Sequence, residues 1–292
     1  MQLALIQQHC THSQADNLAL THQLIQQAVK QGAELVMLQE LHSTLYFCQS
    51  EEQQYFQWAE SIPNGNTLQQ LSEWAKTYQI VLVGSLFEKR ITGLYHNTAV
   101  VLEKDGSLAG RYRKMHIPDD PGFYEKYYFT PGDLGFTPIK TSVGTLGVLV
   151  CWDQWFPEAA RLMALAGADI LLYPTAIGWD RHDSKKEQKK QLYSWRTIQQ
   201  SHGIANHLPV AACNRIGYEP HPSLKDEGIA FWGNSFICDQ QGEILSEGSH
   251  DKDEIIMATV DYKKTERLRH TWPYWRDRRV DAYADLNSLA VK

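Results

Sequence analysis

Short apolar runs alternate along the chain with stretches whose apolar residues recur every three or four positions. The runs are LALIQ from Leu3, ELVMLQ from Glu34, IVLVGS from Ile80 and NTAVVLE from Asn97. Later come GVLV from Gly147, DILLYP from Asp169, LPVAACN from Leu208, NSFICD from Asn234 and EIIMATVD from Glu254. Each is aliphatic or β-branched, and most are bounded by Gly, Asp, Asn or Pro, so they read as buried strands. The longer period predicts a helix over residues 17–31, with Leu18, Ile25, Ala28 and Val29 on one face and Gly32 as its stop. Others are predicted over 67–78 and 157–166, the last with Pro157 in its first turn and Gly167 just past its end.

Strands alternating with helices imply an α/β protein whose sheet is buried beneath helices. Two segments, VVLEKDGSLAGRYRK and FICDQQGEILSEG, read as hairpins turning at Asp-Gly and Gln-Gly. Their likeness fits either an internal repeat or a coincidence between hairpins. No composition shift marks a linker, so residues 1–292 are expected to form one domain. The stretch DRHDSKKEQKKQ reads as a solvated helix start. The tail from about residue 265 to 292, containing RHTWPYWRDRRVDAY, is too apolar to stay free and is expected to pack at a subunit interface.

Charge narrows the partners. The 28 Lys and Arg against 34 Asp and Glu give a net charge of −6 without a long basic tract, which argues against nucleic acid and anionic membranes. The start, MQLALIQQHC, lacks the basic lead of a secretory signal, and no apolar run approaches bilayer length. Five widely spaced cysteines without a C-x-x-C pair argue against a disulfide framework and a common zinc site, so a cytoplasmic location is expected.

One cysteine stands apart. Cys151 ends the run from Gly147 and precedes the helix predicted at Pro157. An isolated cysteine is ordinarily a small core hydrophobe. At a strand-to-helix turn, however, it stands at the carboxyl end of the sheet, where open α/β sheets bind ligands and turn N–H groups can hold an oxyanion. A thiol needs a base or a positive field to become a nucleophile. Glu40, closing ELVMLQE, and Lys114, in GRYRKMHIP, are the polar residues that also end strands. Singly, both types are usually solvated.

The contexts MLQE, YRKMHIP and VCWDQWFPE, together with NTAVV, FTPG, YPTA and GNSFI, resemble the nitrilase (carbon–nitrogen hydrolase) superfamily from Met1 to about Asp281. Within it, STLYFCQ, KMHIPDDPGFYEKYYFTPGD, CWDQWFPEAAR, YPTAIG and the YWRDRR tail are most similar to the branch acting on N-carbamoylputrescine. The resemblance implies a four-layer α-β-β-α sandwich, a Glu40–Lys114–Cys151 triad and a second glutamate, Glu125. It implies hydrolysis of a carbamoylated diamine through a cysteine thioester, with no metal or other cofactor, in a homo-oligomer. Trp152 would donate its N–H to the oxyanion.

For the substrate, Ala176 of YPTAIG and Asp180 hold positions where the resemblance implies contact. Tyr46 and Trp152 are the aromatic candidates for the distal ammonium, and Asp183 rivals Asp180. Asp153 fits a helix cap as well as a ligand. Three other readings stay open: an N-carbamoyl amino acid hydrolase using Arg181 or Arg215, a Cys–His hydrolase using His116, and an inactive binding scaffold.

Overall fold

A computed structural model describes residues 1–291. The first half runs β1 (Gln2–Gln7), α1 (Gln14–Lys30), β2 (Leu35–Leu38), α2 (Asn66–Tyr78), β3 (Val81–Ile91), β4 (Leu94–Leu102) and β5 (Leu108–Arg113). The second runs β6 (Ile139–Thr141), β7 (Gly144–Val148), α3 (Pro157–Leu165), β8 (Ile170–Pro174), β9 (Gly178–Asp180), α4 (Lys185–Asn206) and β10 (Val210–Cys213). It ends with β11 (Ile216–Pro220), β12 (Gly228–Trp232), β13 (Phe236–Cys238), β14 (Ile244–Glu247), β15 (Glu254–Thr259) and α5 (Lys263–Thr271).

Two six-stranded sheets carry the fold, in the orders β15-β1-β2-β3-β4-β5 and β14-β13-β10-β8-β7-β6. Reading the second from its β6 end shows the same plan in both. Each has an antiparallel first pair, two parallel pairs and two antiparallel pairs. The hairpins β4-β5 and β13-β14 occupy equivalent edges, so their likeness follows from a repeated layout, not coincidence. Helices α1 and α2 connect the parallel strands of the first sheet as α3 and α4 connect those of the second.

Strand alternation explains the continuous apolar runs. On β1, Leu3 and Leu5 join the core shared with the second sheet, whereas Ala4 and Ile6 pack with Leu24, Ile25 and Leu71 of α1 and α2. Both faces are buried, so no polar stripe is needed. Beyond the second sheet, Ala159 and Met163 of α3 and Trp195 of α4 pack against its strands. The layers are helices, sheet, sheet and helices, an α/β sandwich.

Local chemistry sets the element ends. Ser13 caps α1 by accepting from the Asp16 N–H at 3.2 Å, and Pro157 opens α3 where no N–H is required. The charged stretch after Asp180 does start a helix, α4, capped by Ser184 and continuing to Asn206. A third sheet, β11-β12-β9, lies outside the two large ones. Its strands are short and half exposed, so no apolar run announces them. The tail packs in part on its own chain: Tyr274 stacks on His207 at 4.5 Å, and the Arg269 guanidinium lies 4.0 Å from the Trp275 ring centre. Val280, Leu286 and Leu289 remain exposed.

Candidate active site

Strand pairing of β7 with β8 ends at Val148, although the Leu149 N–H still donates to the Leu172 carbonyl at 2.9 Å. Val150 is still extended, but Cys151 takes φ 44° and begins a single 3-10 turn to Trp155. Left-handed backbone at a non-glycine residue is costly and persists where surroundings enforce it. Asp153 is the enforcer here. Its Oδ2 accepts from the Val150 N–H and the Tyr112 hydroxyl, both at 2.9 Å. Its Oδ1 accepts from the His116 N–H at 3.0 Å and meets His116 Nδ1 at 2.7 Å. Fully buried, Asp153 caps the turn and ties it to the segment bearing Lys114.

Lys114 follows β5. Its N–H donates to the Asn97 carbonyl at 2.9 Å, and its own carbonyl accepts from Gly132 at 2.8 Å. The side chain is wholly buried, with Nζ 2.9 Å from Glu40 Oε1 and 2.8 and 2.7 Å from the two oxygens of Glu125. Glu40 stands just past β2, its N–H on the Thr175 carbonyl at 3.3 Å. Oε1 also accepts from Asn97 Nδ2 at 2.7 Å, while Oε2 is buried without a hydrogen-bond partner. Glu125 Oε1 accepts from the Tyr46 hydroxyl at 2.7 Å.

These charges decide one another's protonation. Burial works against the Lys114 ammonium, but Glu125 and Glu40 outweigh it and hold its pKa well above the usual value. Burial pushes Glu125 up to about 7, helped by Glu40 and opposed by Lys114. The Cys151 thiol is raised well above its ordinary value by burial and by Glu40, with Lys114 acting the other way. A thiol raised in this way needs an adjacent base to take its proton if it is to act as a nucleophile.

A cleft of about 570 Å³ reaches Cys151. Trp152, Ala176 and Asp180 line it, and the Ala176 carbonyl accepts from Cys151 Sγ at 3.6 Å. Asp183 lines it as well, beside Phe123 and Trp155. Tyr46 does not. It is 1% exposed, with its hydroxyl committed to Glu125, so it offers no aromatic face to a ligand. Neither candidate arginine lines the cleft: Arg181 is exposed and bonded to Asp226, and Arg215 is fully buried against Glu219. His116 is held by Asp153 and stacks on Phe156 at 3.7 Å.

The structure thus brings Glu40, Lys114 and Glu125 into one buried cluster behind the cleft. Cys151, Trp152, Ala176 and Asp180 stand on its wall. Sequence reasoning missed Asp120, a lining residue whose buried Oδ1 has no partner and whose pKa burial raises. It stood in the quoted segment HIPDDPG, but nothing local distinguishes it from Asp119. Asn97, in NTAVV, was equally visible and unread. A groove of about 520 Å³ between α1 and α2, lined by His22, Trp74 and Tyr78, contains none of these groups. Among the described residues, no cluster of three His, Cys, Asp or Glu could hold a metal ion. No described helix is long and apolar enough to cross a membrane.

Comparison with known proteins adds an independent line. The carbon-nitrogen hydrolase family matches residues 2–270. N-carbamoylputrescine amidase of Oryza sativa subsp. japonica is 40% identical over 288 residues, covering 98% of this chain and 94% of that protein. Citrullinase of Francisella tularensis is also 40% identical, over 286 residues and 98% of each chain. Among solved structures, a carbon-nitrogen hydrolase from Helicobacter pylori G27 is 51% identical with a TM-score of 0.97, covering 100% of this chain and 99% of that one.

Proposed function

The chain belongs to the carbon–nitrogen hydrolase family, and from that premise we propose that it hydrolyses N-carbamoylputrescine to putrescine, carbon dioxide and ammonia, with Cys151 as nucleophile. The observation that carries the substrate is the charge of the cleft. Asp120, Asp180, Asp183 and Glu187 line it against a single lysine, Lys190, which is paired with Glu187 at 3.6 Å. Such a wall attracts the ammonium of a carbamoylated diamine and repels a substrate carboxylate.

The chemistry proceeds in two halves. Glu40, through its unpartnered Oε2, takes the Cys151 proton while Sγ bonds to the ureido carbon. The Lys114 ammonium and the Trp152 N–H hold the oxyanion. Glu40 returns the proton to the departing nitrogen, the C–N bond breaks, and ammonia leaves a carbamoyl thioester. Glu40 then takes a proton from water, hydroxide adds to the thioester carbon, and the thiolate departs with the proton. The carbamate released loses carbon dioxide, leaving the free amine. Glu125 keeps Lys114 fixed throughout.

Citrulline is the second reading, favoured by the equally similar citrullinase. It has the same ureido end but carries both an ammonium and a carboxylate at the other, and the acidic wall disfavours the carboxylate. Ammonia release from N-carbamoylputrescine, citrulline, N-carbamoyl-β-alanine and N-butylurea tests the choice. The proposal expects the first to have the highest kcat/KM. A preference for citrulline or the carbamoyl acid would overturn it.

A further inference from the structure

Six buried residues close a hydrogen-bonded ring around the candidate base. Glu40 Oε1 accepts from Lys114 Nζ at 2.9 Å, and Nζ also donates to Glu125 Oε2 at 2.7 Å. Glu125 Oε1 accepts from the Tyr46 hydroxyl at 2.7 Å, and the Tyr46 N–H donates to Glu219 Oε2 at 2.6 Å. Glu219 Oε1 accepts from Arg215 Nη1 at 2.7 Å, and Arg215 Nη2 returns to the Glu40 carbonyl at 2.8 Å. No member is more than 2% exposed.

Half of this ring belongs to the catalytic cluster already described; Arg215 and Glu219 do not. They come from the segment joining β10 to β11 and from β11 itself, and neither lines the cleft. What they touch is the turn that carries Glu40. Besides the Glu40 carbonyl, Arg215 donates to the carbonyls of Leu41 at 3.1 Å and Thr44 at 3.3 Å. Leu41 is left-handed, with φ 49°, so the turn is one that needs outside support. A guanidinium is suited to gathering several carbonyls because its donors are fixed in one plane. Its carbon lies 5.2 Å from the Phe231 ring centre and 5.8 Å from that of Tyr46, which restricts its tilt.

We propose that Arg215 and Glu219 are positioning residues of the reaction, clamping the segment from Glu40 to Tyr46 so that Glu40 faces Cys151 and Tyr46 holds Glu125. The inference rests on the reading of Glu40 as base and Cys151 as nucleophile. Lys114 meets Glu40 at one end of the clamped segment and, through Glu125, Tyr46 at the other. Loosening the clamp therefore displaces both carboxylates relative to the ammonium. A buried ion pair can also serve stability alone, so the test must separate the two roles.

Glu219→Gln keeps the side-chain shape and removes the charge; Tyr46→Phe removes only the link to Glu125. Each is compared with wild type by thermal melting, by kcat and KM on N-carbamoylputrescine, and by the rate at which iodoacetamide alkylates Cys151. In folded protein, kcat is expected to fall on the order of 10- to 100-fold, with KM nearly unchanged and alkylation slowed in parallel. Where Glu219→Gln does not fold, Arg215→Lys, which keeps the charge and gives up the planar set of donors, is measured in the same way and decides. Folded variants with wild-type kcat and alkylation rate, or with losses in KM alone, overturn the proposal. Alkylation needs no substrate. A wild-type enzyme that alkylates at Cys151 yet leaves N-carbamoylputrescine intact refutes the substrate alone, and the alkylation rates still decide the clamp.

Discussion

Lys114 Nζ lies between the two oxygens of Glu125, 2.8 Å from one and 2.7 Å from the other, with no solvent reaching either side chain. An ammonium so held cannot swing away to a surface carboxylate, and it also lies 2.9 Å from Glu40. The pair keeps a positive charge beside the base without occupying both oxygens of that base. In the proposed mechanism Glu125 thus acts through what it does to Lys114.

The pair has a pH signature. Burial raises Glu125 to about 7 from an ordinary 4.5, so the folded state holds this proton more tightly than the unfolded chain does. Its stabilising contribution is complete below about 4.5 and is lost as pH rises through about 7. Urea unfolding of wild type and Glu125→Gln at pH 5 and pH 8 measures this. The stability of wild type relative to the variant is expected to be greater at pH 5. A difference independent of pH would contradict the assignment.

His116 and Lys114 sit two residues apart, and their partners separate their roles. His116 bonds Asp153 and stacks on Phe156, so His116→Ala should cost about 1–2 kcal/mol of stability. Turnover should persist within roughly tenfold, since the residue stabilises a turn and touches no reacting atom. Lys114→Ala should be inactive. Abolished turnover in folded His116→Ala would revive a Cys–His mechanism.

Gly132 supports Lys114 from behind. Its N–H donates to the Lys114 carbonyl at 2.8 Å, and a Cβ there would run into the Arg113 carbonyl oxygen. Gly132→Ala should therefore cost about 1–3 kcal/mol and lower kcat by shifting Lys114. Melting temperature and kcat measured together check this; a variant as stable and active as wild type would show that the FTPG segment has slack.

Much of the architecture is legible in aliphatic runs, because strands buried on both faces need no polar residue and so announce themselves. The run ending at Cys151 located the turn within three residues of the end of β7 at Val148. The third sheet was not legible, since β9, β11 and β12 mix exposed and buried positions and are held by pairing distant in sequence. Roles fixed by contacts were hidden for the same reason. Tyr46 is an aromatic near the base in sequence, but only the fold turns its hydroxyl onto Glu125, 79 residues away. Arg215 looked available to a substrate carboxylate until Glu219 and the turn at Glu40 were seen to occupy it.

Substrate recognition gives a fourth test. Asp180 lines the cleft and is exposed, with Oδ1 accepting from the His182 N–H at 2.7 Å and Oδ2 the oxygen left to meet an ammonium. Asp180→Asn should raise KM for N-carbamoylputrescine on the order of 10-fold, the worth of one charge-assisted hydrogen bond. KM for N-butylurea, which lacks the ammonium, should hardly move. Equal effects on both, with a selective effect from Asp120→Asn or Asp183→Asn instead, would move the ammonium site.

The most direct measurement is the mass of the enzyme during turnover. Wild type mixed with N-carbamoylputrescine and quenched in acid within its first turnovers should carry the substrate less ammonia, mapped to the peptide containing Cys151. Cys151→Ala should remain folded, carry nothing and release no ammonia. An unmodified wild type during turnover, together with ammonia release by Cys151→Ala, would contradict the thioester and the role given to this cysteine.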